Sequence, residues 1–412
     1  MASGTNLTSF EPLLKELYTD DMIENEVYKD NPFLALVPKV EDAEGKYIPK
    51  PVIYGNPQGR SRTFSQAQSR GEVTGVEPAS FFVTRVKDYS LATVDNETIL
   101  ASKSDKGAFL KAATTAMDGA IQSATRSLAI SMYRPSSGYY ARVDAEPNTA
   151  SGSFTLTLSN AAEITNFETE MVLNIWSAAS GGTQRTSDGS EDDFVVEGID
   201  RDAGTLTLTG TYSGSGTIAA GDYIFVKGDR GLSLSGLMDW IPTTAPTATP
   251  FFNVDRSVDV TRLAGIRQDG RGKPIEEALL DLVTRVNREG GKPDYILMNY
   301  EEYNDLIKSL GSKVQYIDLK VNAVVGFRGV ELQGPKGPVK CLADQNCPAG
   351  YAWALQMDTW ELLSLGKAVR IIDTDGMKWL RQNSSDGVEI RIGSYSQLCC
   401  RAPGYNGVTQ LA

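Results

Sequence analysis

One long segment of the chain, positions 104–135, carries apolar residues at three- and four-residue steps, which is the period of an amphipathic helix. Ser104 or Asp105 can cap its start, and Pro135 ends it. The apolar stripe is rich in alanine and consists of Leu110, Ala113, Met117, Ile121, Ala124, Leu128 and Met132. The pattern predicts a helix of about 29 residues, roughly 43 Å long, against which another element packs closely.

An alternating pattern of apolar and polar residues replaces the helical period between positions 151 and 228. Five short segments show it: SFTLTLS, MVLNIW, DFVVEGID, GTLTLTG and DYIFVKG. The phrase EGIDRDAGTLTLTG predicts a hairpin that turns at 202–204. Several short strands at this spacing predict a small β-barrel or sandwich, inserted between the segments on either side.

Two further β-rich limbs, KYIPKPVIYG and ASFFVTRVKDYSLATV, flank a glycine-bearing stretch between positions 46 and 94. The stretch has one aromatic residue and cannot build a core of its own, so it predicts a long hairpin arm. Its candidate intersubunit contacts are Arg60, Arg62, Phe64 and Arg70. Arginine is enriched at protein interfaces, which favours that role over contact with nucleic acid.

The last third of the chain mixes both periods and predicts an α+β domain. A helical face runs over 275–286, DYILMN predicts a buried strand, and YEEYNDLIKSLG predicts a second helix ended by Gly311. In CPAGYAWALQMDTWELLSLG the large residues alternate from Tyr351 to Met357, and the parity then flips, which predicts a turn at 358–359. Trp353 and Trp360 are therefore interpreted as core residues rather than as the lining of a cleft.

The amino-acid composition excludes several classes of catalytic site and argues against others. The 412 residues include no histidine, which excludes Ser-His-Asp and Cys-His nucleophiles and histidine metal sites, although carboxylate-only hydrolysis remains open. The four cysteines, Cys341, Cys347, Cys399 and Cys400, do not have zinc-site spacing, so we expect no metal, no cofactor and reduced, buried thiols. A formal charge of −12 argues against a protein whose main surface binds nucleic acid, since such a surface normally needs clustered basic residues. An acidic N-terminus and no long apolar run predict a soluble chain made in the cytoplasm.

The order of these parts resembles that of the major capsid proteins of tailed bacteriophages, the Hong Kong ninety-seven type of shell protein. The phrases GGKPDYILMN, VKCLADQNCPAGYAWALQMDTWELLSLG and VRIIDTDGMKWLRQ look like the axial-domain core of that family, and DAGTLTLTG, AAGDYIFVKGD and GLSLSGLMDWIP resemble a β-rich insertion found in some members. The resemblance implies an α+β capsid fold. Its parts are an N-terminal arm at 1–45, an extended hairpin loop at 46–94, a peripheral domain with the spine helix at 95–150, an inserted β domain at 151–228, an axial domain with returning segments at 229–390, and a C-terminal strand and tail at 391–412.

The function that the resemblance implies is structural. We expect pentamers and hexamers that build an icosahedral shell around packaged double-stranded DNA, with no enzymatic activity and no catalytic residues. The expected partners are other copies of the chain, portal, scaffolding and decoration proteins, and DNA in non-specific contact with the inner face, but no membrane. The expected location is the virion capsid, and the host cytoplasm during assembly.

The predicted insertion, 151–228, contains eleven acidic and three basic residues, a net charge of −8. Such a domain would be repelled by phosphates, so we expect it on the outside of the shell. Two alternatives remain open. One is the shell protein of a cellular encapsulating compartment. The other, from a different class, is a carboxylate-dependent hydrolase with an accessory β domain.

Overall fold

The computed structural model describes residues 30–95, 106–148, 150–186, 193–212, 218–311, 316–320, 326–373, 380–381 and 387–411. Within these ranges the six α-helices are α1 (Pro32–Leu36), α2 (Phe64–Val73), α3 (Lys106–Ser131), α4 (Leu237–Trp240), α5 (Ile275–Arg288) and α6 (Tyr300–Leu310). No helix in the described ranges is both long and apolar enough to cross a bilayer. The chain is a mixture of helices and sheets, as the sequence predicts.

The late part of the chain forms a seven-stranded mixed sheet in the order β11-β21-β16-β12-β15-β14-β13. Its strands are β11 (Ile266–Asp269), β12 (Tyr295–Met298), β13 (Tyr316–Lys320), β14 (Gly326–Gly334), β15 (Gly337–Ala343), β16 (Tyr351–Leu355) and β21 (Gly407–Gln410). Helix α5 packs its apolar face, including Leu279, Leu282 and Val286, on this sheet. Acidic residues in its first turn and Arg285 and Arg288 in its last turn complement the helix dipole.

A second sheet has six strands and brings distant parts of the chain together in the order β1-β17-β20-β18, with β4 and β19 also pairing with β20. The strands are β1 (Lys39–Val40), β4 (Val86–Asp95), β17 (Trp360–Ser364), β18 (Arg370–Ile371), β19 (Leu380–Arg381) and β20 (Gly387–Cys400). Strand β4 pairs with β20 over ten residues, and α3 packs on both strands. This sheet and α3 share one core with Trp240, Trp353 and Trp360.

A third sheet is a small β-barrel with the strand order β5-β10-β7-β8-β9-β6. Its strands are β5 (Ala141–Arg142), β6 (Ser153–Thr157), β7 (Val172–Trp176), β8 (Phe194–Asp200), β9 (Thr205–Thr209) and β10 (Tyr223–Val226). The bridge between Val143 and Leu158 closes the sheet between its two outer strands. The barrel has a separate core. The predicted hairpin is present, and its Gly204 takes the left-handed conformation that the turn requires.

The described fold corrects three predicted boundaries. The barrel begins at Ala141 rather than at 151, because β5 is needed to close it. Strands β17, β18 and β19 do not belong to the late mixed sheet but to the sheet around β20. The boundary predicted between 390 and 391 falls inside β20, a continuous strand of 14 residues.

Two helix ends are fixed by local contacts. Helix α1 has Pro32 at its first helical position, where the missing N–H costs nothing. Helix α3 ends at Ser131, before Pro135. The carbonyls of Met132 and Arg134 accept hydrogen bonds from the returning chain, from Leu237 and Gly236, at 2.8 and 3.0 Å. The predicted cap at 104–105 lies outside the described residues.

The two tryptophans of the 347–366 segment are core residues, as the alternation predicts. Trp353 and Trp360 are fully buried, and a turn of 3₁₀ helix at Met357–Thr359 separates their strands, where the parity flips. Strand β16 is covered on both sides, because Ala352 and Ala354 on its other face pack under α5.

Candidate interaction surface

The hairpin arm consists of β2 (Ile48–Gly55) and β3 (Glu77–Val83), which pair antiparallel from Ile48 with Val83 to Gly55 with Glu77. The second limb predicted for the arm is shorter than expected. Residues from Val86 onward leave the arm and join β20 as β4, because Ala92 and its neighbours on that face are covered by the spine helix. The arm therefore projects from the body over residues 48–83.

The root of the arm is held by aromatic packing. Phe81 is fully buried, and its ring lies 5.1 Å from that of Trp240 in an edge-to-face arrangement. The Nε1 of Trp240 donates a hydrogen bond of 3.0 Å to the carbonyl of Leu398 in β20. The backbone N–H of Phe82 donates to the carbonyl of Phe252 at 2.9 Å. These contacts fix the direction in which the arm leaves the body.

A buried ion pair also fixes the root. Glu361 in β17 is 2% exposed and pairs with Lys50 of β2 on one side and with Arg401 on the other. Burial alone would raise the pKa of Glu361, but its bonds to Arg401 and Lys50 outweigh burial and lower the pKa. The carboxylate is therefore ionised at neutral pH and ties the arm to the sheet.

The tip of the arm contains a helix that the sequence pattern did not predict. Helix α2 has no buried residue, and Phe64 and Val73 are each 84% exposed. The tip is held together by close backbone packing instead of a core: a Cβ on Gly59 would lie 3.0 Å from Cα of Gly71. We define the tip as residues 56–75.

The structure brings the four predicted contact residues together at this tip. Arg60 and Arg62 lie in the loop before α2, Phe64 is its first residue, and Arg70 lies in its last turn. The Nη1 of Arg70 donates to the carbonyl of Arg60 at 3.3 Å, which joins the two ends of the tip. Three arginines against the single acidic residue Glu72 give the tip a net charge of +2 in a chain of −12.

The cysteine side chains are structural. All four cysteines are free and buried, and burial raises the pKa of each thiol, so none is a reactive thiolate. In the described ranges no group of three or more Cys, Asp or Glu side chains is placed to hold a metal ion. The arm exposes aromatic, aliphatic and cationic side chains, which makes it a candidate interaction surface.

No protein-family model matches the chain, and no curated protein matches it. Among solved structures, the cyanophage A-1(L) capsid asymmetric unit aligns with a TM-score of 0.51 and 12% sequence identity, over 92% of this chain and 92% of that one. The chain has the fold of a phage capsid protein. Mycobacterium phage Ogopogo aligns with a TM-score of 0.43 and 10% identity, over 93% of both chains. The holo-SrpI encapsulin complex from Synechococcus elongatus aligns with a TM-score of 0.42 and 8% identity, over 97% of this chain and 94% of that chain.

The sequence predicts the arginines of this arm as intersubunit contacts, but its patterns do not single out two acidic residues at the body. Asp88 in β4 and Asp229, where the chain leaves the barrel, line the same pair of surface cavities. They are 141 positions apart in the sequence, so no local motif joins them. Only the pairing of β4 with β20 and the position of the barrel junction bring them together.

Proposed function

We propose that the chain is the structural subunit of an icosahedral phage capsid, which assembles with copies of itself into pentamers and hexamers around packaged double-stranded DNA. The observation that carries this proposal is the arm: it is fixed rigidly at its root, and its helix buries none of its residues on its own chain. The capsid fold over 92% of the chain supports the same role. The subunit acts by assembly and not by catalysis.

Association with a neighbouring copy is favourable because the arm leaves apolar surface in water. Phe64, Val73 and Ile53 are each more than half exposed. Full burial of one valine, isoleucine or phenylalanine side chain contributes about 1.5–3 kcal/mol to the free energy of association. A neighbour that covers the arm recovers this free energy, whereas an isolated chain does not. Because the root is already ordered, little conformational entropy is lost on docking.

Electron microscopy of the purified chain tests the proposal directly. We expect rings and closed shells, with scaffolding protein added if the chain alone remains dispersed. Deletion of residues 56–75, closed by a two-residue turn, is expected to leave the thermal unfolding midpoint nearly unchanged and to abolish shells, because the tip supplies no core. Replacement of exposed Lys308 and Asp305 on α6 with alanine is the control and should not affect assembly. Shells of normal yield from the deletion variant would remove the arm from the mechanism.

The barrel belongs on the outer surface of the proposed shell. Its acidic surplus disfavours contact with packaged DNA, which the inner face meets non-specifically. The chain leaves the body at Ser137 and returns at Gly231, where the N–H of Gly231 donates to the carbonyl of Ser137 at 2.9 Å. Portal, scaffolding and decoration proteins are the further partners, in the host cytoplasm during assembly and in the virion afterwards. The nucleic acid content of purified particles separates a phage capsid from a cellular compartment that encloses protein cargo.

A further inference from the structure

A groove runs along α3 on the side that faces β4 and the junction of the barrel. Two adjoining cavities of about 380 and 450 Å³ form it. Their shared walls are Asp88 and Tyr89 of β4, Ser127 of α3, and Tyr140 and Asp229 at the barrel junction. The groove therefore lies where the strand that follows the arm, the spine helix and the barrel meet.

The groove contains two carboxylates that have no ion-pair partner in the described chain. Neither Asp88 nor Asp229 forms an ion pair within the described residues. Burial against the groove, and then the charge of Asp88, raise the pKa of Asp229 to about 6. Two cations also line the cavities: Arg126, which is bound to Glu168 on the barrel, and exposed Lys87, which forms no ion pair within the described residues.

The tip of the arm carries cationic side chains that have no anionic partner in the part of the chain that the structure describes. Arg60 and Arg62 are exposed and form no ion pair within the described residues, and Arg70 donates to a backbone carbonyl rather than to a carboxylate. The other hydrogen bonds of the tip are also internal, such as that from the N–H of Gln58 to Oγ1 of Thr74 at 3.1 Å. The same chain thus carries unpaired cations on a projecting tip and unpaired anions in a groove.

We propose that the arginine-bearing tip of one copy docks in this groove of a second copy, where its guanidinium groups bind the carboxylates of Asp88 and Asp229. This inference rests on the proposed function, because it names which surfaces of two shell subunits meet. A guanidinium binds a carboxylate through two parallel hydrogen bonds, and an aromatic face such as that of Tyr89 or Tyr140 can stack on it. A partly enclosed groove screens this attraction less than open water does.

Reversal of the charges tests the docking. One variant carries Arg60→Glu, Arg62→Glu and Arg70→Glu, a second carries Asp88→Lys and Asp229→Lys, and a third carries all five changes. We expect each of the first two to reduce the yield of shells at least tenfold, and the third to recover at least half of the wild-type yield. The control pair, Arg288→Glu and Asp305→Lys, lies on exposed surfaces of α5 and α6 and should leave the yield unchanged.

A measurement of pairwise association separates this inference from the proposed function. The tip-reversed and groove-reversed chains each repel their own copies but complement one another, so analytical ultracentrifugation at low salt should detect dimers in the mixture and not in either chain alone. Dimers in the mixture with no wild-type shells would overturn the proposed function and support the docking. Wild-type shells with no dimers in the mixture, or with normal yields from both reversed chains, would overturn the docking alone.

A milder variant covers the case in which the lysine substitutions prevent folding. Asp88→Asn with Asp229→Asn keeps the volume of both side chains and removes only their charge. We expect at least a tenfold loss of shell yield from this variant, with an unchanged circular dichroism spectrum. Normal yield from the asparagine variant would show that the groove is not the docking surface.

Discussion

Tyr133 donates a hydrogen bond of 2.8 Å from its hydroxyl to Oδ2 of Asp344, and both side chains are almost completely buried. The same carboxylate accepts hydrogen bonds from the backbone N–H of Phe33, at 3.3 Å, and of Asn346, at 2.9 Å. Phe33 belongs to α1, Tyr133 follows the spine helix, and Asp344 follows β15. One carboxylate therefore joins three parts of the fold that lie more than 90 residues apart in the chain.

The first prediction concerns this junction. Asp344→Ala leaves three buried donors without their acceptor, and each unsatisfied group costs about 1–3 kcal/mol, so we expect a loss of about 3–5 kcal/mol in the free energy of unfolding. Tyr133→Phe removes one donor and leaves the carboxylate its other partners, so it should cost about 1–2 kcal/mol. Urea denaturation measures both. Equal and small losses would show that the carboxylate does not hold the three segments together.

The second prediction compares two glycines with opposite expected effects. A Cβ on Gly236 would lie 2.4 Å from the carbonyl oxygen of Met132 and 2.5 Å from those of Ser131 and Arg134, so Gly236→Ala must displace the end of the spine helix. We expect a loss of at least about 3 kcal/mol. Gly119 is exposed within α3 and has no neighbour within 4 Å of such a Cβ. Gly119→Ala should therefore stabilise the chain by about 0.5–1 kcal/mol, as measured by thermal unfolding.

The third prediction concerns the ion pair at the root of the arm. Glu361→Gln leaves Lys50, whose side chain is 15% exposed, without its partner, and should cost about 3 kcal/mol at pH 7. The pKa of Glu361 is lowered in the folded chain, so its contribution is present above the ordinary carboxyl pKa and is lost as the pH falls through the lowered value. The difference in unfolding free energy between wild type and variant should therefore shrink between pH 7 and pH 3. A constant difference would contradict the assignment of a charged pair.

Lys50→Met is the control for that substitution. Glu361 then keeps Arg401, whose Nε donates to Oε2 at 3.1 Å. The loss from Lys50→Met should be smaller than that from Glu361→Gln.

The fourth prediction concerns Asp229 and pH. Its pKa is raised to about 6, so the folded chain binds this proton more tightly than the unfolded chain does. The resulting stability is fully present below pH 4 and is lost as the pH rises through about 6. Asp229→Asn removes this dependence. The melting temperature of wild type minus that of the variant should therefore be larger at pH 5 than at pH 8, and we expect a modest shift because the residue is partly exposed to water. An inverted trend would contradict the raised pKa.

The pattern of apolar and polar residues predicts helices and strands best where one face of the element is buried. The five strands predicted in the barrel are present because alternate residues such as Leu206 and Leu208 face a separate core. The late helices are present because their apolar faces repeat at helical spacing. Helix α2 lacks any such face, so periodicity could not reveal it. Its glutamine, alanine and arginine residues favour a helix, and the Gly59 and Gly71 contact supplies the packing.

Strand partners were harder to predict than strands. The limb up to 94 looks like one continuous β segment, yet it divides near Arg85, whose guanidinium donates to carbonyls of Ala43 and Gly45. The part after that point pairs with β20, some 300 positions later. Nothing in the alternation of a strand specifies which distant strand it meets. The groove that contains Asp88 and Asp229 depends on that pairing, so the sequence pattern could not predict it either.

The hydrogen bond between Ser137 and Gly231 has a consequence for how such chains diversify. The backbone enters and leaves the barrel through two adjacent positions, so the path of the remaining chain is the same whether the loop between them holds a few residues or a whole domain. If the proposed shell forms with the barrel outside, genetic exchange of this module would alter what the particle displays to its surroundings, while the geometry of the lattice of subunits would be inherited unchanged.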